Sequence, residues 1–398
     1  MAPAPEIRSL DELTLGHRRV LVRTDFDVPL TASGEVADDS KLRAALPTLQ
    51  KALSEGARVV IATELGDPDL PAVSLEPVAA ALAGLLGQEV YLPDQCVGEA
   101  ARKVVSDLRE GQVCLLENLR FAPEEQQADE GFARKLAGLC DVYVNEAFAR
   151  SHLPWASLVT LPRLTAERGL GYRAKAELDA LSRAAVTAQK PFIGILGGMD
   201  LATKLPVLES MLRRCSVICV GGVLGNTLLA ARGQDMKASP LERDQLPLCR
   251  ALLSRARDQK VELLLPLDVQ AGSGPDAEQA SAVSVGSIAD KTGAFDVGPK
   301  TVQAFAERLR TAQTVLWYGA LGALENPAFA QGTADMLTAL GEAKAFGIIT
   351  GDSVASAAAK RPELEGPDGK LGFVSTGGMA SLVFIEGKKL PGIEALRG

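Results

Sequence analysis

Residues 192–204 read Phe192-Ile193-Gly194-Ile195-Leu196-Gly197-Gly198-Met199-Asp200-Leu201-Ala202-Thr203-Lys204. Five uncharged residues, two of them β-branched, run into a Gly-Gly turn. Such a run predicts a strand buried on both faces, at home in a parallel sheet sandwiched between helices. The sequence beyond the turn opens a helical pattern that is clearest over 205–215. Glycine lets the backbone approach a phosphate closely, and the start of a helix offers unsatisfied N–H groups at its positive dipole end.

The same strand–turn–helix alternation extends in both directions. Short apolar runs predict strands at 20–22, 59–62, 113–116 and 142–144, then at 192–196, 217–220, 261–265, 315–317 and 346–349. Ala/Leu-rich amphipathic stretches such as 41–57 lie between them. The runs form two groups, which predicts an α/β architecture of two doubly wound parallel-sheet lobes. An Ala-rich helix over 174–188 links them. The lobes are placed at 1–168 and 187–376, with the hinge helix at 169–186. A polar, Gly-containing segment at 271–298 reads as a surface excursion of the second lobe. Trp317 reads as core, residues 124–130 as a solvated helical face, and Glu64 and Asp67 as a solvated loop.

Composition bounds what such a molecule does. The chain has 398 residues, with 42 Lys plus Arg against 50 Asp plus Glu, a formal charge of −8. This balance argues against nucleic-acid and anionic-membrane partners, which need clustered cations. The hydrophobic share of 47% is too high for a disordered chain. Six scattered cysteines without a CxxC pair read as buried thiols of a reducing compartment, and two histidines, His17 and His152, are too few for a zinc cluster. The N-terminus lacks a basic-then-apolar leader, and no apolar run reaches the ~18–20 residues that span a bilayer. The expectation is a cytoplasmic protein.

Ligands of open α/β sheets collect at the carboxyl ends of the strands. There the chain carries Arg23-Thr24-Asp25-Phe26-Asp27-Val28-Pro29, Leu115-Leu116-Glu117-Asn118-Leu119-Arg120-Phe121, the 141–148 stretch, Gly197–Lys204, the 316–325 stretch ending in Glu325, Gly351-Asp352-Ser353, Ser375-Thr376-Gly377-Gly378 and Glu386-Gly387-Lys388-Lys389-Leu390-Pro391-Gly392. Together and in this order they resemble the phosphoglycerate kinase family over nearly the whole chain. The resemblance implies an N-terminal lobe for 3-phosphoglycerate, a C-terminal lobe for Mg2+ with ATP or ADP, hinge closure in a monomer, and a tail, 377–398, packing back on the N-terminal lobe. It implies reversible phosphoryl transfer to the carboxylate of 3-phosphoglycerate, a glycolytic step. By position, Arg23, Asp25 and Arg120 match substrate contacts, Lys204 a nucleotide-phosphate lysine, Glu325 the ribose-binding glutamate, and Asp352 the magnesium ligand. Gly351 and Ser353 flank that aspartate in the nucleotide loop.

Several positions depart from the family pattern. Asp27 stands for an asparagine, and Lys41 for the arginine that stabilises the transferring phosphoryl. Thr63-Glu64-Leu65-Gly66-Asp67-Pro68 stands for Ser-His-Leu-Gly-Arg-Pro, Leu153 for an arginine and Asp200 for a lysine. Two arginines, a histidine and a lysine thus lose their cationic or donor role, and three of the replacements are acids. Losing one arginine partner of a desolvated anion costs about 2–5 kcal/mol. The departures therefore predict weakened handling of a small polyanion, with Arg150 the nearest candidate to compensate. Three readings follow: a working kinase with a remodelled cleft, a nucleotide-binding pseudoenzyme with a regulatory or scaffold role, or a kinase for a less anionic acceptor.

Overall fold

The computed structural model describes residues 6–66, 70–361 and 372–397. The chain divides into two compact units, one formed by residues 1–179 with 389–398 and the other by 180–388. The helix-linked sequence pattern thus yields two separate cores, described in turn.

The first unit is built on β1 (Arg19–Arg23), β2 (Arg58–Ala62), β3 (Val90–Tyr91), β4 (Val113–Leu115), β5 (Val142–Asn145) and β6 (Glu167–Leu170). They pair in the order β3-β4-β2-β1-β5-β6, all parallel. Val22 lies between Ile61 and Val144, so the centre of the sheet is a row of β-branched residues without access to water. The helix Ser40–Ser54 covers one face through Leu42, Ala45, Leu49 and Ala52, which recur at helical spacing. β1, β2 and β5 end at one edge of the sheet, and Arg23, Glu64 and residues 146–157 follow from there.

In the second unit, β7 (Phe192–Leu196), β8 (Val217–Val220), β9 (Glu262–Leu264), β13 (Thr314–Tyr318), β14 (Phe346–Thr350) and β15 (Phe373–Val374) form a parallel sheet in the order β15-β14-β13-β7-β8-β9. Trp317 is fully buried in its core, where its indole N–H is satisfied by the Gly319 carbonyl at 2.8 Å. Gly194 in β7 brings the helix Leu201–Arg214 close, since a Cβ there would lie 3.1 Å from the Met211 sulfur.

All nine expected strands are present. The segment expected as a surface excursion is instead a three-stranded antiparallel sheet of β10 (Asp268–Gly272), β11 (Ser281–Ser284) and β12 (Gly293–Val297), ordered β11-β10-β12. Its strands are short and rich in Ser, Gly and Ala, and β11 is largely exposed, so no apolar run announced them. The linking helix spans Tyr172–Ala185. The region expected as a solvated helical face at 124–130 is a series of turns, and Glu125 within it is buried. Among the described residues no helix is long and apolar enough to cross a membrane. All six cysteines are buried, and burial raises their thiol pKa values.

Candidate functional site

The first unit gathers its charged residues at the carboxyl edge of its sheet. Arg23, the last residue of β1, has no exposed surface. Its Nε donates to Ser157 Oγ at 2.8 Å, one Nη donates to the Thr24 carbonyl, and the other donates to Glu64 Oε2. Ser157 in turn donates to Glu125 Oε1 at 2.5 Å, and its backbone N–H to Oε2 at 2.9 Å. Burial raises the Glu125 pKa, opposed by Arg23 and these two hydrogen bonds.

Glu64 is 3% exposed, not a solvated loop residue. Burying a carboxylate so deep is costly unless it is paired with cations. It has two: Arg23, and Arg150, whose Nε lies 2.8 Å from Glu64 Oε1. Arg150 closes the short turn Phe148–Arg150 and also pairs with Asp27 at 2.6 Å and approaches Asp25 at 3.6 Å. Burial lowers the Arg150 pKa, but Glu64, Asp25 and Asp27 together more than offset it, so the guanidinium is held firmly charged. Lys41, in the first turn of Ser40–Ser54, is 3.1 Å from Asp25 Oδ2. Asp27 Oδ1 also accepts the Gly66 N–H at 2.9 Å.

Three cations, Arg23, Arg150 and Lys41, thus face three acids, Asp25, Asp27 and Glu64, and the cluster is closed on itself. Arg120 is held apart, donating to the carbonyls of Leu65 at 3.3 Å and Leu70 at 2.8 Å. Asp67 lies outside the described residues. His152 Nδ1 is 3.0 Å from the Ala149 carbonyl, and burial lowers its pKa.

The second unit presents a cavity of about 960 Å³ at the carboxyl edge of its own sheet. Lys204, Glu325, Gly351, Asp352 and Ser353 all line it. Glycine backbone forms part of its lining: Gly198 after β7, Gly222 after β8, Gly319 after β13 and Gly351 after β14. Gly222 has φ +63° and Gly319 φ +81°, conformations that favour glycine, and a Cβ on either would lie 2.6 Å from the backbone of Gly198 or Gly197. Lys204 Nζ donates to the Met199 carbonyl at 2.6 Å and lies 5.0 Å from the centre of the Tyr318 ring. Burial lowers its pKa, against Asp200 and Glu242.

Asp200 caps the helix Leu201–Arg214, accepting from the Thr203 N–H and hydroxyl. Glu242, which the sequence did not flag, accepts the N–H groups of Asp200 at 2.5 Å and Leu201 at 2.9 Å. Asp352 is the first residue of the helix Asp352–Ala359, whose N-cap is Gly351. Among the described residues its carboxylate has no hydrogen-bond or ion-pair partner, and no cluster of three His, Cys, Asp or Glu side chains is placed to hold a metal. One carboxylate completed by phosphate oxygens and water is a donor set that suits Mg2+. Asp296, also unflagged, lines the cavity with its carboxylate accepting from the N–H groups of Val297 and Gly332. Burial raises its pKa to about 7. A lone Asp between Phe295 and Val297 carries no signal for this role.

Comparison with known proteins gives one consistent result. The family model described as phosphoglycerate kinase matches residues 10–388. The chain is 41% identical to phosphoglycerate kinase of Anaeromyxobacter sp. strain Fw109-5, covering 98% of this chain and all of that protein. It is 40% identical to that of Moorella thermoacetica, over 98% of each chain. Among solved structures, phosphoglycerate kinase of Coxiella burnetii superposes with a TM-score of 0.87 at 32% identity, over 98% of this chain and 99% of that one. The enzyme of Pyrococcus horikoshii gives 0.81 at 27% identity, over 98% of each chain.

Proposed function

Since the chain belongs to the phosphoglycerate kinase family, we propose that its second unit binds Mg2+ with ATP or ADP as phosphoryl donor or acceptor, and that its first unit accepts 3-phosphoglycerate only weakly. The family's transfer chemistry asks the protein mainly to position two anions and neutralise charge between them. The donor half of that requirement is supported by the cavity at the strand ends, its glycine turns, Lys204, and Asp352, whose carboxylate has no partner among the described residues. Glu325 supports ribose recognition from the cavity wall. Asp352 would hold Mg2+, which when bound with nucleotide neutralises phosphate charge.

The single observation that carries the proposal is the closed charge cluster of the first unit. Arg23 and Arg150 both direct their charge to Glu64, and Lys41 directs its own to Asp25. A polyanion entering there must displace acids that already pair with these cations. At about 2–5 kcal/mol per lost arginine contact, two losses weaken 3-phosphoglycerate by a thousandfold or more. A second reading, a nucleotide-binding protein of the family without turnover, is favoured by one specific fact: Arg23 has no exposed surface with which to meet any substrate.

Titration calorimetry with Mg-ADP and with 3-phosphoglycerate tests the proposal. Nucleotide binding with feeble 3-phosphoglycerate binding is the expected result, and micromolar 3-phosphoglycerate binding overturns it. A coupled ATP-dependent assay then separates the two readings: slow turnover supports the weak kinase, none supports the nucleotide binder.

A further inference from the structure

Glu64 joins two guanidinium groups in a particular way. Its Oε2 accepts from Arg23, and its Oε1 lies 2.8 Å from Arg150 Nε. Each carboxylate oxygen thus has one guanidinium beside it, Oε2 through a hydrogen bond and Oε1 through charge alone, without an aligned N–H···O bond. The carboxylate is 3% exposed and Arg23 is fully buried, so this is an enclosed seat, not a surface pair. Asp27 and Asp25 add to the demand on Arg150, and Lys41 is drawn to Asp25. No cation of the cluster is left without an acid.

We propose that the Glu64 side chain is a built-in substitute for a small anionic ligand, filling the seat between Arg23 and Arg150 and so setting the specificity of the first unit against polyanions. The inference rests on the reading of that unit given above and names the residue responsible. A tethered carboxylate competes at an effective concentration that solutes do not reach in the cell, because it pays no translational entropy to bind. An external anion gains the two arginines only by expelling it, and an expelled carboxylate must find water or other cations. Charge therefore adds to the enclosure of the seat as a barrier, and neutralising this one side chain lowers that barrier for phosphate or carboxylate.

The test is Glu64→Gln, which keeps the shape and removes the charge. Inorganic phosphate and 3-phosphoglycerate are titrated into the full chain and the variant, with Mg-ADP binding and thermal melting as controls of folding. The expected result is at least tenfold tighter 3-phosphoglycerate binding in Glu64→Gln, with unchanged Mg-ADP affinity. Adding Arg150→Gln should abolish the gain, because, of the two arginines released, it is the one with exposed surface. Glu64→Ala supplies a readout that a purely structural brace does not share. Its melting temperature should rise with added phosphate, by the linkage between binding and stability, far more than that of the unaltered chain.

A folded Glu64→Gln that binds 3-phosphoglycerate no tighter than the unaltered chain overturns this inference alone. Micromolar binding by the unaltered chain overturns it together with the reading of the first unit. Should Glu64→Gln fail to fold, Glu64→His, the residue of the family motif, takes its place in the same titration. If neither variant folds, stabilisation of Glu64→Ala by phosphate decides: rescue supports an anion seat, and its absence overturns one.

Discussion

Both units of this chain place a ligand-type site at the carboxyl edge of a six-stranded parallel sheet, yet the two edges are furnished differently. In the first, long charged side chains bind one another: Arg23 and Arg150 to Glu64, Arg150 to Asp27, Lys41 to Asp25. In the second, glycine backbone at Gly198, Gly222, Gly319 and Gly351 brings the loops together around the cavity, and side chains such as Lys204, Tyr318, Glu325 and Asp352 line it. A site made of side chains changes with a few substitutions that leave the sheet intact. A site made of backbone resists such change, because its geometry is the geometry of the fold.

The sharpest way to test this contrast is to cut the first unit's cluster at its deepest member. Arg23→Gln leaves Glu64 buried with one cation fewer, and strips Ser157 of its donor. Breaking a buried pair from one side costs about 3–5 kcal/mol. Hydrogen exchange at the amides of β1, β2 and β5 should accelerate accordingly, while Mg-ADP affinity in the second unit stays as it was. Unchanged exchange in the first unit means that the cluster is not what holds this edge together.

The second unit also buries an acid, but without a cation among the described residues. Asp296 relies on two backbone N–H groups, and burial lifts its pKa to about 7. The sign follows directly. A carboxyl group whose folded pKa lies above its unfolded value binds its proton more tightly when folded, so stability falls as pH rises from the unfolded value, near 4, towards 7. Between pH 5 and pH 7 the loss is about 2–3 kcal/mol. The urea midpoint should therefore drop over that interval, and Asp296→Asn should flatten that part of the profile. Parallel profiles for the two proteins mean that the carboxylate is better solvated than its burial implies.

These two acids also show where sequence reading stops. The nine principal strands were legible because a strand buried on both faces must be an apolar run, and Phe192-Ile193-Gly194-Ile195-Leu196 could be little else. The cavity residues Lys204, Glu325, Gly351, Asp352 and Ser353 were legible through strand-end position and family resemblance, and the structure brings them to one cavity. Asp25 and Lys41 pair in the first unit, Arg23 joins them only through Glu64 and Arg150, and Arg120 is tied to loop carbonyls. Burial of Glu64 and Glu125 was not legible. An acid in a loop looks solvated until the chain folds an arginine from 41 positions away onto Glu64, or Ser157 from 32 positions away onto Glu125. The small antiparallel sheet escaped for the opposite reason: its strands pair through backbone that any Ser, Ala or Gly can supply.

A smaller effect tests the backbone side of the contrast. The Cβ of Gly197→Ala would lie 2.0 Å from the Ala320 carbonyl oxygen, so the loops after β7 and β13 must part. Overpacking of this kind costs about 1–3 kcal/mol. Because those loops line the cavity, the cost should appear as a loss of Mg-ADP affinity of about ten- to a hundredfold, with little change in the first unit. If affinity is kept and only stability falls, the glycine turn serves the fold and not the ligand.

The smallest effect belongs to Lys41→Ala. Its side chain is 42% exposed, and its partner Asp25 also has Arg150 nearby at 3.6 Å. An ion pair so open to water contributes below about 1 kcal/mol, and its loss leaves no buried charge stranded. Stability should barely move, in contrast to Arg23→Gln in the same cluster. Turnover is the more telling readout, because Lys41 occupies the position at which the family resemblance puts a phosphoryl-stabilising arginine. If the unaltered chain turns over and Lys41→Ala abolishes turnover without loss of stability, a surface lysine is supplying transition-state charge, and the first unit keeps more of its chemistry than its closed cluster implies.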